Sequence, residues 1–163
     1  MKQELTQLRL RQLLSYDSET GVFTWKINIG KRIRAGSVAG TTHHSGYNCI
    51  IIERSHYTAH RLAWLYFYGE WPSGVIDHIN GDKFDNRISN LRDVSRSVNQ
   101  QNRRKAAKNS KTGMLGVSQA GSVFVANIMV DGKTVRLGRY ETAELAHAAY
   151  VNAKRQHHAG CTI

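Results

Sequence analysis

The segment Val75-Ile76-Asp77-His78-Ile79-Asn80-Gly81-Asp82 predicts a short strand that ends in a polar site. It begins with two apolar β-branched residues, which suit a strand. A carboxylate and an imidazole follow at Asp77 and His78, and Asn80-Gly81 predicts a turn because both of its residues tolerate positive φ. The pattern therefore indicates a strand that runs into a loop, with two chemically useful side chains at the junction.

The residues after this loop complete a small frame. Residues 88–94 predict a second short strand, and residues 95–104 predict a polar helix with Ser95 or Ser97 as its N-cap. Strand, loop, strand and helix together form a compact support for a metal ion and a phosphate.

The residue types suit hydrolysis of a phosphodiester. A histidine such as His78 can activate water near neutral pH. A hard divalent cation can stabilise charge on phosphate oxygens, and Asp77 and Asn99 offer it oxygen ligands. The residue types alone leave a second interpretation open, in which Asp77 and His78 belong to an ordinary polar loop and Asn90 caps a helix or turn.

The stretch resembles the HNH nuclease family, and most closely its phage-type homing-endonuclease branch. The resemblance runs from about residue 16 to residue 102. The matching motifs, in order along the chain, are Ala59-His60-Arg61-Leu62-Ala63-Trp64, Gly69-Glu70-Trp71-Pro72, Asp77-His78, Asn90-Leu91-Arg92 and Asn99-Gln100-Gln101-Asn102. Their order and spacing make the resemblance specific.

This resemblance implies a ββα-metal fold and a role for each motif residue. It implies His78 as general base, Asp77 and Asn99 as metal ligands, and Asn90 as a residue that orients the histidine or braces the loop. Asn99 stands at the third position, where the family's name has a histidine. A neutral amide oxygen there favours Mg²⁺ or Mn²⁺ over zinc, so we expect one such divalent ion as cofactor.

The composition indicates a polyanionic partner. The chain has 163 residues with a net charge of +11, and its pI is about 10.0. Such an excess favours nucleic acid, or less often an anionic membrane surface. The sequence has no apolar run long enough to span a membrane, and residues 1–5 lack the apolar core of a signal peptide. We therefore expect a cytoplasmic protein, and the resemblance to phage-type nucleases implies a bacterial or phage-infected cell.

The two cysteines, Cys49 and Cys161, form no CxxC pair. We therefore expect no structural zinc.

The N-terminal part predicts further elements around the site. The pattern favours a helix over residues 4–14, strands over residues 22–25, 47–52 and 57–59, and a helix over residues 60–68 that ends at Gly69. We expect Trp64 and Trp71 to pack in the core. His60 has two interpretations, as a structural histidine or as a second residue of the site.

A basic segment follows the predicted nuclease helix. It contains five cations and no acidic residue, namely Arg103, Arg104, Lys105, Lys108 and Lys111. It could be a solvated linker, but we favour contact with the DNA backbone, because cations that meet phosphates release condensed counterions.

Residues 113–160 predict a second unit of three strands and one helix. Residues 123–130 alternate between two faces, Asp131-Gly132 predicts a hairpin turn, and residues 134–140 return with Val135 and Leu137 facing inward. Thr142 predicts the N-cap of the helix. One helix covers one face of such a sheet, and the other face could enter a major groove.

This unit resembles the plant ethylene-response-factor (APETALA-type) DNA-binding domain. The matching motifs are Gly116-Val117, Phe124-Val125-Ala126-Asn127-Ile128, Leu137-Gly138-Arg139-Tyr140 and Thr142-Ala143-Glu144-Leu145-Ala146. The expected DNA-facing residues are Ser118, Gln119, Asn127, Thr134 and Arg136. The first strand lacks the arginines that the family places there, so we expect phosphate contacts to supply most of the binding.

The sequence therefore predicts an α+β protein with a nuclease domain over residues 1–104, a basic linker over 105–111 and a DNA-binding domain over 112–163. The resemblance implies a metal-dependent HNH endonuclease of phage homing type that acts on double-stranded DNA, as a monomer or a homodimer. We expect a monomer to nick, and cleavage of both strands would need two protomers or two sequential events. The alternatives are a catalytically silent DNA-binding regulator derived from such a nuclease, and an RNA-directed or non-specific nuclease.

Overall fold

The computed structural model describes residues 4–44 and 46–163. The chain forms two compact units, Met1–Ser95 and Arg96–Ile163. Residues 1–3, which belong to the predicted nuclease domain, and Ser45 lie outside the described residues. The predicted domains, 1–104 and 112–163, are pieces that we expect to fold independently. Compact units do not test independent folding, so these limits stay predictions. Helices and small antiparallel sheets occur in both units, so the α+β class is confirmed.

In its described residues, the first unit contains two α-helices and seven short strands. They are α1 (Gln7–Leu13), β1 (Leu14–Tyr16), β2 (Phe23–Trp25), β3 (Thr41–Thr42), β4 (Asn48–Ile52), β5 (Ser55–Thr58), α2 (Ala59–Tyr68), β6 (Val75–His78) and β7 (Leu91–Val94). The strands pair as β1-β2, β3-β4-β5 and β6-β7.

Helix α1 is shorter than the predicted helix over residues 4–14. The Thr6 side chain accepts a hydrogen bond from the backbone N–H of Arg9, so the helix begins after Thr6. It ends because Leu14 takes an extended conformation and pairs with Trp25 in β1-β2.

Helix α2 forms where the sequence predicts it and supplies the core. Its Leu62, Ala63 and Leu65 are buried, and Gly69 ends it in a left-handed conformation with φ of 89°. Trp64 and Trp71 pack against the core as predicted. The Trp71 ring stacks on Tyr57 with their centroids 5.7 Å apart.

The β6-β7 hairpin differs from the prediction in one place. Strand β6 covers Val75–His78 as expected, but residues 88–94 are not all strand. Ile88–Asn90 form a turn of 3-10 helix, and only Leu91–Val94 pair with β6. The predicted helix over residues 95–104 is also shorter, and it is α3 (Arg96–Gln101) of the second unit.

The second unit adds a sheet and a long helix to α3. Its elements are β8 (Val117–Ala120), β9 (Val123–Val130), β10 (Lys133–Tyr140) and α4 (Ala143–His157). The sheet has the order β10-β9-β8. Thr142 caps α4 through a bond from the N–H of Leu145, as predicted. Helix α4 packs its Tyr150 and Ala153 against Ile128 of β9.

A β-bulge in β10 decides which side chains share a face. Arg136 pairs with Asn127 and Gly138 with Ala126, so Leu137 is the extra residue. Arg139 then pairs with Val125. Cross-strand partners share a face, so Arg136 and Arg139 lie on the same face although they are three residues apart.

Two placements of side chains differ from the prediction. Gln119 pairs with Phe124, so it lies on the face that carries Ile128 and not on the face of Asn127 and Arg136. Val135 pairs with Ile128 on the expected face, yet it is 44% exposed because β10 is an edge strand.

Candidate active site

Strand β6 ends with the two side chains that the sequence predicts for the site. Asp77 and His78 are each 5% exposed. Charged and polar groups are rarely buried to this extent unless they are paired. Their partners therefore decide what the two groups can do.

Asp77 is paired with an arginine that the sequence reasoning gave no role. Arg92 lies opposite Asp77 in the β6-β7 register. Its Nε and Nη2 donate to the same carboxylate oxygen, Oδ2, at 2.9 and 2.7 Å. The Asn90-Leu91-Arg92 motif was visible in the sequence, but only the strand register shows that Arg92 faces the carboxylate.

His78 is oriented by Asn86, which the sequence reasoning also missed. His78 Nε2 lies 3.1 Å from Asn86 Oδ1, and Asn86 Nδ2 donates to the backbone oxygen of Phe84 at 3.2 Å. Because the amide nitrogen faces a carbonyl, the amide oxygen faces the ring, and Nε2 carries the proton. The basic nitrogen of neutral His78 is then Nδ1.

Burial sets the charge of this histidine. It lowers the pKa of His78, while the Asn86 hydrogen bond and the nearby Asp77, Asp82 and Asp85 carboxylates act in the opposite direction. The lowered pKa leaves the imidazole neutral at neutral pH, which is the form that accepts a proton.

Asn86 is itself held by the β1-β2 hairpin. Tyr16 donates its hydroxyl proton to the backbone oxygen of Asn86 at 2.7 Å. Gly21, with φ of 73°, lies so close that a Cβ there would meet Asn86 C and Arg87 N at 2.5 Å. Contacts from about 70 residues away along the chain therefore position the partner of His78.

Asn90 braces the loop between β6 and β7. Its Oδ1 accepts from the N–H of Asn80 at 2.9 Å. Its Nδ2 donates to Asn80 Oδ1 at 3.0 Å and to the backbone oxygen of Asp85 at 2.8 Å. The Ile79 N–H also donates to the Asn90 backbone oxygen at 2.9 Å. These bonds tie both ends of the loop together next to His78.

A second histidine lies against His78. His60 of α2 is 8% exposed, and its ring meets His78 edge-to-face with centroids 5.2 Å apart. Burial, followed by the charges of His78, Arg61 and Lys83, lowers the pKa of His60 to about 3. His60 is therefore a neutral neighbour of the predicted base.

An aromatic residue and a lysine lie near the two histidines. The Tyr47 ring centroid is 4.9 Å from that of His60, and Lys83 Nζ lies 4.3 Å from the Tyr47 centroid. This group adds a positive charge to the surroundings of the two imidazoles.

The remaining predicted metal ligand, Asn99, lies half-buried on α3 in the second unit. Among the described residues, no cluster of three or more histidine, cysteine, aspartate or glutamate side chains could hold a metal ion. One buried carboxylate, Asp77, still fits Mg²⁺ or Mn²⁺. Such hard ions keep several waters and bind through one or two carboxylates together with substrate phosphates.

The predicted DNA-binding residues of the second unit lie mostly at the surface. Exposed side chains include Arg103, Arg104, Lys105, Lys108, Lys111, Gln119 and Arg136, whereas Asn127 is half-buried. Arg104 also donates to the Thr162 hydroxyl at 2.6 Å. The bulge adds the exposed Arg139, which strict alternation would have assigned to the opposite face.

These features define a small α+β unit with a buried carboxylate–imidazole pair at a strand end. In a comparison with known families, residues 57–101 match the family model described as HNH endonuclease. The match covers α2, the β6-β7 hairpin and α3, and it supports an HNH nuclease family for this part of the chain. No curated protein and no solved structure gives a significant match. No helix in residues 4–44 or 46–163 combines the length and the apolar character that crossing a membrane requires.

Proposed function

We propose that this protein is a metal-dependent HNH endonuclease that hydrolyses phosphodiesters of double-stranded DNA. The observation that carries the proposal is the buried Asp77-His78 pair at the end of β6, inside the segment that matches the HNH endonuclease family. His78 is neutral and oriented by Asn86, which suits a general base. The finer assignment is a phage homing-type enzyme that leaves 5′-phosphate and 3′-hydroxyl ends.

In this proposal each residue of the site has one task. His78 takes a proton from the attacking water at Nδ1, and Asn90 keeps the loop in place. Asp77 and Asn99 would hold one Mg²⁺ or Mn²⁺ ion, with the role of Asn99 resting on the family pattern. When bound, the ion supplies electrostatic stabilisation of charge on the phosphate and the leaving oxygen.

The second unit is proposed to hold the duplex. A net charge of +11 favours a polyanion. The basic segment from Arg103 to Lys111 would contact phosphates, and the sheet face with Asn127, Arg136 and Arg139 would approach a groove. This assignment follows the resemblance of residues 113–160 to ethylene-response-factor domains.

The test is conversion of supercoiled plasmid carrying DNA from the source genome, with Mg²⁺, Mn²⁺ or a chelator. We expect open-circular product from the wild type only when metal is present. We expect His78→Ala to lower the rate about 100- to 10,000-fold and to keep DNA binding, because this is the range that general-base catalysis supplies. His56→Ala is the matched control, since His56 is exposed in β5.

Each other outcome has a distinct meaning. Full cleavage by His78→Ala would remove this residue from the mechanism. Linear product would indicate paired sites or a dimer, and degradation without preferred positions or cleavage of RNA would indicate a non-specific nuclease.

A silent DNA-binding regulator is the second candidate, and one observation favours it. Arg92 already neutralises the carboxylate proposed as metal ligand. A regulator would bind the plasmid tightly in chelator and leave it supercoiled under every metal condition.

A further inference from the structure

The ion pair between Asp77 and Arg92 is more deeply buried than the other ion pairs among the described residues. The Asp77 side chain is 6% exposed and that of Arg92 is 26% exposed. In contrast, both side chains of the Arg9–Glu53 pair are exposed, at 48% and 58%. In the Arg87–Asp85 pair, Asp85 is 14% exposed but Arg87 is 49% exposed. Removal of one partner from a buried pair leaves an uncompensated charge, whereas exposed pairs are worth little. Arg92 therefore has a role toward Asp77 that the surface pairs do not share.

The geometry directs the guanidinium at one oxygen of the carboxylate. Arg92 Nε and Nη2 both donate to Oδ2, and the antiparallel register of β6 and β7 places the two residues opposite each other. Asp77 and Arg92 are therefore cross-strand neighbours in the β6-β7 hairpin. The contact is built into the hairpin that carries the site and does not depend on a flexible segment.

This contact matters for a divalent cation. The charges of Asp77 and Arg92 sum to zero, so a cation that approaches the carboxylate meets an arginine that already balances it. The cation and the guanidinium would repel each other at close range, and this repulsion is strong away from bulk water. A phosphate from DNA would supply the missing negative charge and could also accept hydrogen bonds from the guanidinium.

We propose that Arg92 is the counter-ion that holds Asp77 in the metal-free protein and gives way to the divalent cation, so that metal binds weakly until a DNA phosphate is present. Arg92 is then a positioning residue that links metal binding to DNA binding. The inference rests on the proposed function, because it takes Asp77 as a metal ligand. Linkage makes the effect reciprocal: DNA tightens metal binding and metal tightens DNA binding by the same factor.

The test measures binding of Mn²⁺ to the full chain without DNA, by calorimetry and by the metal-induced rise in melting temperature. We expect Arg92→Gln to bind Mn²⁺ at least about tenfold more tightly than the wild type, a difference of about 1.4 kcal/mol. Without metal, this variant should melt at a lower temperature, and Mn²⁺ should raise its melting temperature more than that of the wild type. Loss of a purely structural contact would lower stability without tightening metal binding.

The matched control is Arg87→Gln, which removes the exposed arginine of the Arg87–Asp85 pair in the loop between β6 and β7. It should leave the dissociation constant for Mn²⁺ unchanged. If the Mn²⁺ dissociation constant of Arg92→Gln is within twofold of the wild-type value, or larger than it, the inference is overturned. If Arg92→Gln does not fold, Arg92→Lys replaces it: one ammonium cannot make both bonds, so binding should tighten by about threefold, and no change would overturn the inference.

A second measurement tests the link to DNA in a His78→Ala background. A short mixed-sequence duplex should tighten Mn²⁺ binding clearly in this background and much less when Arg92→Gln is added. Equal tightening in both proteins would contradict the link.

Asp77→Asn separates the inference from the proposed function. If Asp77→Asn binds Mn²⁺ as the wild type does, the ligand role of Asp77 fails, whatever Arg92 does. If Asp77→Asn loses binding and Arg92→Gln behaves as the wild type, only the inference about Arg92 fails.

Discussion

The two units place their polar side chains in opposite ways. In the first unit, Asp77, His78, Asn86 and Asn90 are buried. Their side chains make hydrogen bonds to neighbouring groups. In the second unit, the polar residues assigned to DNA binding are mostly exposed, and they are spread over the segment from Arg103 to Lys111 and one face of the sheet.

The difference fits the two tasks proposed for these units, general-base catalysis and binding of phosphates. A general base must be held in one orientation, and burial with fixed partners achieves this at a cost in desolvation. Contacts to phosphates tolerate small displacements, because charge attraction depends weakly on orientation and counterion release needs only proximity. Substitutions in the first group should therefore change rates strongly, and those in the second group should change affinity in small steps.

Next to the loss expected for His78→Ala, the largest effect is expected from Asn86, the partner of the proposed base. Asn86→Ala removes the acceptor at His78 Nε2, so the ring loses its fixed orientation while the base itself remains. We expect the cleavage rate to fall roughly 10- to 100-fold, less than the full 10²–10⁴ of a general base. Single-turnover cleavage kinetics measure this effect, with Asn28→Ala as a control on an exposed loop residue. An unchanged rate would show that Asn86 does not orient the base.

The contrast between the two units is not complete, because the second unit also contains a tightly packed contact, between Gly160 and α3. A Cβ on Gly160 would meet the backbone oxygen of Val98 in α3 at 2.1 Å, and the Gly160 N–H donates to Gln101 Oε1 at 3.0 Å. We expect Gly160→Ala to lower the free energy of unfolding by about 1–3 kcal/mol, as overpacking does. Gly113→Ala is the comparison in urea unfolding. Its Cβ would meet nothing within 4 Å, but its φ of 67° strains an alanine, so it measures backbone strain without crowding. An unfolding free energy of Gly160→Ala equal to that of the wild type would show that the fold relieves the close contact without cost.

The buried histidine of the first unit makes stability depend on pH. His60 has a pKa of about 3 in the folded protein and about 6.5 when unfolded. Between these values the unfolded state binds one more proton, so stability falls as pH decreases from 6.5. We expect this histidine to lower the free energy of unfolding by up to about 1.4 kcal/mol for each pH unit of acidification. His60→Gln should remove this contribution to the pH dependence. Urea unfolding at pH 7, 6 and 5 measures it, and parallel slopes in both proteins would contradict the assignment.

The smallest effects are expected on the sheet of the second unit. Arg136→Gln and Arg139→Gln should each weaken DNA binding about fivefold at moderate salt and reduce the salt slope by about one. Gln119→Ala should leave affinity unchanged, because the register places Gln119 on the other face. Salt titrations of binding test all three. A loss with Gln119→Ala equal to that of the arginine variants would contradict the role of this face.

Several elements of the fold could be predicted because their signals are local. Helix α2 has an apolar face and a glycine at its end, and β9 has strict alternation followed by Asp131-Gly132. Thr142 caps α4 as the sequence indicates. In each case the residues that decide the element are within a few positions of one another.

Other elements differed because contacts across a loop or between paired strands decide them. Ile88 is apolar and follows a loop, which suits a strand, but the loop brace through Asn90 closes a 3-10 turn there. The bulge at Leu137 is likewise hidden from alternation, which assumes one residue per step on both strands.

The sequence by itself determined the positions of Asp77 and His78 at a strand end, the basic character of the chain and the motifs of an HNH nuclease. These depend on residue type and short spacing, which a linear chain displays directly. Only the tertiary structure decided that Arg92 faces Asp77, that Asn86 orients His78 and that Arg136 and Arg139 share a face. The reason is physical: strand register, loop closure and bulges bring together residues whose separation along the chain carries no sign of their contact.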